Sequence, residues 1–221
     1  MDVPGVIVPS HSRKASKEPM RDTPIIGLDD LREIGDGIYY SPRELAVTSD
    51  VVIEFLKHAA RTKAIRRARF CAHPAPNADQ HDMLIVSHRD TYVTPHRHLS
   101  KSESFVVLEG FAQVILFDET GGIQDVFRMG PVSTGLPFFY RMPAKQFHSL
   151  SIESELLVFV ESTKGPFDLA DREHGSWAAD PNDSITGRAY IESIVRDWYS
   201  RHGSTSDQSL PDRRSHGQRR L

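Results

Sequence analysis

His96 and His98 stand two residues apart, and Glu103 follows the second by five. The stretch before them, Thr91-Tyr92-Val93-Thr94, is β-branched and aromatic, which predicts a strand. Alternate residues of a strand share a face, so His96 and His98 project together while Arg97 points the other way. Leu99 to Ser102 form a loop that turns the chain back. Glu103 then opens the apolar run Ser104-Phe105-Val106-Val107-Leu108 and returns a carboxylate to the imidazoles. Two imidazoles and a carboxylate on one face can bind a first-row divalent metal and leave coordination positions open. A fourth candidate ligand, His148, follows the Met142-Pro143 turn at the entry of another strand-like run. A single histidine is ordinarily a hydrogen-bonded surface or core residue; it is the group of four that suggests chemistry. Three imidazoles and one carboxylate suit Fe, Mn, Zn or Ni, and the residue types do not choose among them.

The same alternation proposes a pocket around the metal. Thr94 shares a face with His96 and His98, and Tyr92 lies one layer below it. Phe105 and Val107 share a face with Glu103. Arg141 is a candidate anion-binding group, whereas Arg97 faces away and is no substrate clamp. No second carboxylate stands out on the same strand face. His81 and His88 read as loop or surface residues. In Arg66-Arg67-Ala68-Arg69 the charged side chains alternate with apolar ones on the way into a strand at Phe70. That stretch alone offers too few phosphate contacts for a nucleic-acid surface.

These residues need a scaffold of short strands. Met83 to Val86, Glu103 to Leu108, Phe111 to Phe117, Val126-Phe127, Pro137 to Tyr140, Phe147 to Ile152 and Leu156 to Val160 read as strands, with a hairpin loop over Asp118 to Gly122. Many short strands separated by turn residues predict a mainly β sandwich or barrel. Before them, Ser49 suits a helix N-cap, Asp50 the positive end of the helix dipole, and Val52, Phe55, Leu56 and Ala59 one apolar stripe. Asp29 to Tyr40 gives a weak signal for a short helix or an edge segment. Ser176 to Pro181 reads as an irregular cover, and Ala189 to Ser200 as a C-terminal helix. The organisation predicted is a disordered tail over 1–23, an N-terminal helical segment over 24–65, a barrel over 66–168, a C-terminal segment and helix over 169–202, and a disordered basic tail over 203–221.

His96-x-His98, four residues, Glu103, six residues and Gly110 resemble the first motif of the cupin superfamily, and Pro143-x-Lys145-x-x-His148 resembles the second. The departures are Asp90 and Lys145, each where the motif usually has Gly, and Ile152 where it usually has Asn. They touch turns, not ligands. The family's metal-binding residues fall on His96, His98, Glu103 and His148. Arg67 to His73, Met83-Leu84-Ile85, Tyr92-Val93-x-Pro95-His96-Arg97-His98, Lys101-x-Glu103-x-Phe105 and Glu161-x-x-x-Gly165-Pro166-Phe167 narrow the resemblance to the WbuC family of cupin-fold metalloproteins, over roughly Ser41 to Ser200. The resemblance implies a single cupin, that is, a double-stranded β-helix or jelly-roll barrel, holding one divalent transition metal. It also implies His73 as a pocket residue, a homodimer and an association with polysaccharide biosynthesis.

Composition narrows the function classes. The 221 residues carry a net charge of -3, so no global field favours nucleic acid or a membrane surface. Cys71 is the single cysteine, which excludes an intrachain disulfide and suggests a reducing, cytoplasmic setting. No run reaches the ~18 apolar residues of a membrane span. The expected function is a metal-dependent enzyme acting on a small polar molecule such as a sugar or carboxylate, by oxygenase or isomerase/epimerase chemistry. The alternative is a non-catalytic metal-dependent binding or sensor module. The catalytic residues are not assigned by sequence.

Overall fold

The computed structural model describes residues 25–41 and 43–203, so the tails expected over 1–23 and beyond 203 lie outside the described residues. In chain order the elements are β1 (Arg32–Gly35), β2 (Ile38–Tyr40), α1 (Asp50–Thr62), β3 (Arg67–Cys71), β4 (Gln80–His88), β5 (His96–His98), β6 (Glu103–Glu109) and β7 (Ala112–Phe117). There follow β8 (Ile123–Met129), β9 (Phe139–Met142), β10 (Phe147–Ile152), β11 (Leu156–Lys164), β12 (Arg172–His174) and α2 (Ser184–His202). The strands form two sheets, one ordered β1-β2-β3-β4-β11-β6-β9 and the other β12-β5-β10-β7-β8. Every pairing is antiparallel except β2 with β3. The two sheets face each other as a double-stranded β-helix, the cupin-type barrel that the motifs imply.

Period-two burial decides which side chains look inward. Met83, Ile85, Phe105, Val107, Val114, Leu150 and Phe159 meet between the sheets. The alternate residues Ala68, Phe70, Leu84, Val86 and Val158 pack outward beneath α1, against Val52, Leu56, Ala59 and Ala60. Leu56 is fully buried there, and burying a leucine contributes about 1.5–3 kcal/mol. Ser49 occupies the N-cap of α1 in extended conformation but makes no side-chain cap bond, so the apolar stripe rather than the cap holds this helix. On the other flank Ile191 and Val195 of α2 cover Ile115, Phe117, Val126 and Phe147. Trp177, from the irregular segment, lies 4.9 Å from the ring of Phe117. The Asp183 side chain caps α2 by accepting from the Thr186 amide at 3.0 Å. The helix therefore starts at Ser184, ahead of the apolar spacing that predicted it from Ala189.

Three sequence expectations change. The strand predicted over Thr91 to Thr94 is irregular, and only His96–His98 pairs. Pro95 has no N–H for a ladder, and the Val93 carbonyl accepts instead from Ser149 Oγ at 2.5 Å. The N-terminal segment over 24–65 is helical only in part, since β1 and β2 extend the larger sheet. The barrel also runs past residue 168, because β12 pairs with β5 in the smaller sheet.

Candidate metal centre and its cavity

The strands of both sheets enclose a cavity of about 680 Å³. Strand β5 and strand β10 are neighbours in the smaller sheet, with His148 directly opposite His96. Glu103 opens β6 on the facing sheet. These three residues bring one ligand atom each to within 4.8 Å of one another and could hold a metal ion. The Nε2 of His148 lies 3.1 Å from Glu103 Oε1.

The hydrogen bonds orient this set. His96 Nδ1 lies 2.8 Å from the Thr94 carbonyl and His148 Nδ1 lies 2.9 Å from the Gln146 carbonyl. A carbonyl only accepts, so each Nδ1 carries a proton and each Nε2 is turned to the centre, where it would offer its lone pair to a bound metal; without one, His148 Nε2 donates to Glu103 instead. Tyr140 donates to Glu103 Oε1 at 2.9 Å and stacks on Phe105. The donor set therefore fits a divalent transition ion.

His98 takes a different position. Its Nε2 comes to 3.5 Å from Glu103 Oε2, but it is outside the tight group of three. Its Nδ1 lies 3.4 Å from Asp171 Oδ2, and both atoms are buried without a hydrogen-bond partner. Asp171 is itself fixed, accepting from the Ser100 amide at 2.9 Å and from Ser100 Oγ.

Electrostatics follow from this geometry. Burial, reinforced by the neighbouring His148, pushes His96 down to about 3, so it is a neutral imidazole. Burial works to raise Glu103, but hydrogen bonds from His148 and His98 outweigh it and hold the carboxylate well below its usual range. For His148 burial is likewise outweighed, by the bond to Glu103, and its pKa is raised.

The other predicted pocket residues divide. Thr94 and Tyr92 line the cavity. The Tyr92 hydroxyl, however, donates to the Ala179 carbonyl at 3.3 Å, and its ring seats α2. His73 is buried on the cavity wall, stacked 4.0 Å from His81, with its Nε2 unbonded. His81 and His88 are both buried rather than on the surface; His88 is bonded to Arg66. Arg141 is a correction. Glu103 and Phe105 face inward, so Ser104 and its partner Arg141 face outward. Arg141 is exposed and donates to Ser102 Oγ instead of entering the cavity. Arg97 also faces out, paired with Glu119 and Glu173 over the Phe147 ring.

The cavity contains charged groups outside the two metal-binding motifs. Glu161 projects inward from β11, between Phe105 on β6 and Met83 on β4. Burial and the charge of Glu103 raise it to about 7. Arg67 and Arg69 of β3 and Arg172 of β12 also line the space. The register across four strands brings these residues together, and no local spacing encodes it. Period two from the buried Phe70 would have placed Arg67 and Arg69 on the face opposite α1.

A family model described as a domain of unknown function (DUF6016) matches residues 48–129. That range includes His96, His98 and Glu103 but not His148. No curated protein matches the chain. Among solved structures, a Klebsiella pneumoniae protein with a double-stranded β-helix domain is 14% identical, with 50% of this chain and 84% of that one covered, at a TM-score of 0.38. A sugar phosphate isomerase of the cupin superfamily from Silicibacter pomeroyi is 15% identical, with 40% and 52% covered, at a TM-score of 0.33. For an oxalate decarboxylase from Lactobacillus farciminis the figures are 16% identity, 43% and 26% coverage, and a TM-score of 0.35. The chain thus spans about a quarter of that decarboxylase. The fold assignment rests on the two-sheet topology itself.

Proposed function

We propose that this chain is a metal-dependent enzyme of isomerase or epimerase type, acting on a small polar metabolite inside the barrel. The observation that carries the reading is the convergence of His96, Glu103 and His148 on one point of an enclosed cavity, with His98 in reach of Glu103. When bound, a divalent metal would act as a Lewis acid on substrate oxygens. Isomerisation or epimerisation also needs an acid–base group that is not a ligand. Glu161 lines the same cavity, and a carboxyl titrating at about 7 is suited to exchange a proton near neutral pH. This favours proton-transfer chemistry over oxygenase chemistry. The cavity is within the ~300–1,000 Å³ range of small-molecule sites.

The WbuC likeness, with its association with polysaccharide biosynthesis, and the expected homodimer belong to the same proposal. The homodimer is checked by sedimentation. The cytoplasmic setting is part of it too; among the described residues no helix is long and apolar enough to cross a membrane.

Elemental analysis of untagged protein, beside a His96→Ala and a Glu161→Gln variant, tests the reading. The expected result is about one metal per chain in wild type, loss of metal in His96→Ala, and retained metal with lost turnover in Glu161→Gln. A substrate panel that is bound by the metal-loaded protein yet never converted would favour the binding-module reading instead.

A further inference from the structure

Strand β3 carries Arg67 and Arg69 on its inward face, since the intervening Ala68 packs outward under α1. Arg172 comes from the opposite sheet, where β12 places it in register with the metal-side residue His98. The three arginines thus line one cavity from both of its walls, Arg67 and Arg69 half-buried and Arg172 more exposed.

Their surroundings are unusual for arginine. Among the described residues, none of the three has a carboxylate oxygen within ion-pair distance, whereas the outward-facing Arg97 is paired with two. Arg69 Nε is buried with no hydrogen-bond partner. Burial and the positive charge of neighbouring arginines lower both Arg67 and Arg172, Arg67 to about 10, which leaves Arg67 a cation at neutral pH; a guanidinium is ordinarily charged in proteins. Like charges held together where solvent screening is reduced carry a cost, greatest for the half-buried Arg67 and Arg69 and smaller for the more exposed Arg172. The cavity carboxylate whose charge bears on all three is Glu161, and it neutralises at most one of them.

We propose that Arg67, Arg69 and Arg172 form an oxyanion subsite that holds the phosphoryl group of a phosphate monoester, with the rest of the molecule directed toward His96, Glu103 and His148. This rests on reading the cavity as a substrate chamber. Guanidinium forks match phosphate oxygens in shape and charge. After Glu161 is counted, at least two positive charges stay unbalanced. A phosphate monoester carries about -1.5 to -2 at neutral pH, which balances them, while a single carboxylate does not. The position of Arg172 beside His98 sets the anion next to the metal centre rather than at a remote surface.

Isothermal titration of the full-length, metal-loaded protein with inorganic phosphate tests the assignment, with acetate as the singly charged control. Arg69→Gln and Arg172→Gln are the variants; Arg172 is on an exposed edge strand, so its replacement preserves folding, which circular dichroism verifies. The expected result is phosphate binding to wild type at least tenfold tighter than acetate, weakened tenfold or more in each variant. Phosphate affinity equal in wild type and both variants, or acetate binding as tightly as phosphate, overturns the assignment. Metal content measured on the same samples separates the two readings. Arginine-dependent phosphate binding supports this subsite whether or not metal is retained, and missing metal in wild type counts only against the metal centre.

Discussion

Lys145 donates its backbone N–H to the carbonyl of His98 at 2.7 Å while holding a φ of +68°, in the left-handed region. The turn before His148 is thereby tied to the strand that carries His96 and His98, adding a backbone bond to the pairing of β10 with β5. The left-handed conformation costs a non-glycine residue about 1–2 kcal/mol. Lys145 is exposed and its side chain makes no contact that the site uses. Lys145→Gly is therefore expected to stabilise the protein by about 1 kcal/mol, read as a raised midpoint in chemical denaturation with unchanged metal content. A lowered midpoint would show that glycine's greater unfolded-state freedom outweighs the relief of strain.

Metal loading should depend on acidity. Without metal, the bond to Glu103 raises the pKa of His148, so a proton competes for the Nε2 atom that faces the centre. Occupancy is expected to fall as pH drops, beginning above the ordinary histidine value of about 6.5 because this pKa is raised. Metal content after dialysis at a series of pH values checks this, and content that stays constant down to about pH 4.5 speaks against a histidine-built centre.

Asp171→Asn preserves the shape of the side chain that accepts from Ser100 but removes the negative charge facing His98 Nδ1. Losing a carboxylate that orients a ligand histidine typically lowers metal affinity ~10–100-fold. Competition against a chromophoric chelator measures it. An affinity unchanged by the substitution would mean that His98 takes no part in binding.

Glu161 gives a pH dependence of opposite sign from the usual carboxylate. Its folded pKa, about 7, lies above the ordinary value of 4.5. The folded state holds the proton more tightly, so this group's contribution is fully present below about 4.5 and is lost as pH rises through about 7. In the metal-free protein, Glu161→Gln should gain thermal stability relative to wild type across that interval. A melting-temperature difference independent of pH would remove the raised pKa and, with it, the acid–base role.

Gly187 lets α2 settle onto Tyr92. A Cβ there would clash with the tyrosine ring. Gly187→Ala is expected to destabilise by about 1–3 kcal/mol through overpacking. Thermal denaturation measures this, and a neutral result would mean that the helix can shift without penalty.

The candidate metal residues were legible because short motifs concentrate them. His96 and His98 are two apart on one strand, Glu103 opens the next, and His148 follows its own proline turn. The barrel was legible for a related reason, since alternation and turns are local signals. Glu161 and Arg172 were given no site role, because each reaches the cavity through pairing with a strand distant in sequence; nor was Asp171, which meets His98 from the turn just ahead of β12. Arg67 and Arg69 were read as strand residues and given no pocket role, for a physical reason. Charged residues alternating with apolar ones ordinarily face solvent, but α1 covers the apolar face of β3 and turns the charged face inward. Arg141 failed in the opposite direction, its register with Ser104 sending it outside.

The pairing of β12 with β5 joins strands far apart in the chain. During synthesis the ribosome releases the histidine-bearing strand long before it releases residues 172–174, which flank it. Until that late piece docks, the nascent barrel has an open side, and the wall that bears Arg172 and His174 does not exist. A chain terminated ahead of Arg172 would therefore retain every residue of both cupin-like motifs and still lack a closed chamber.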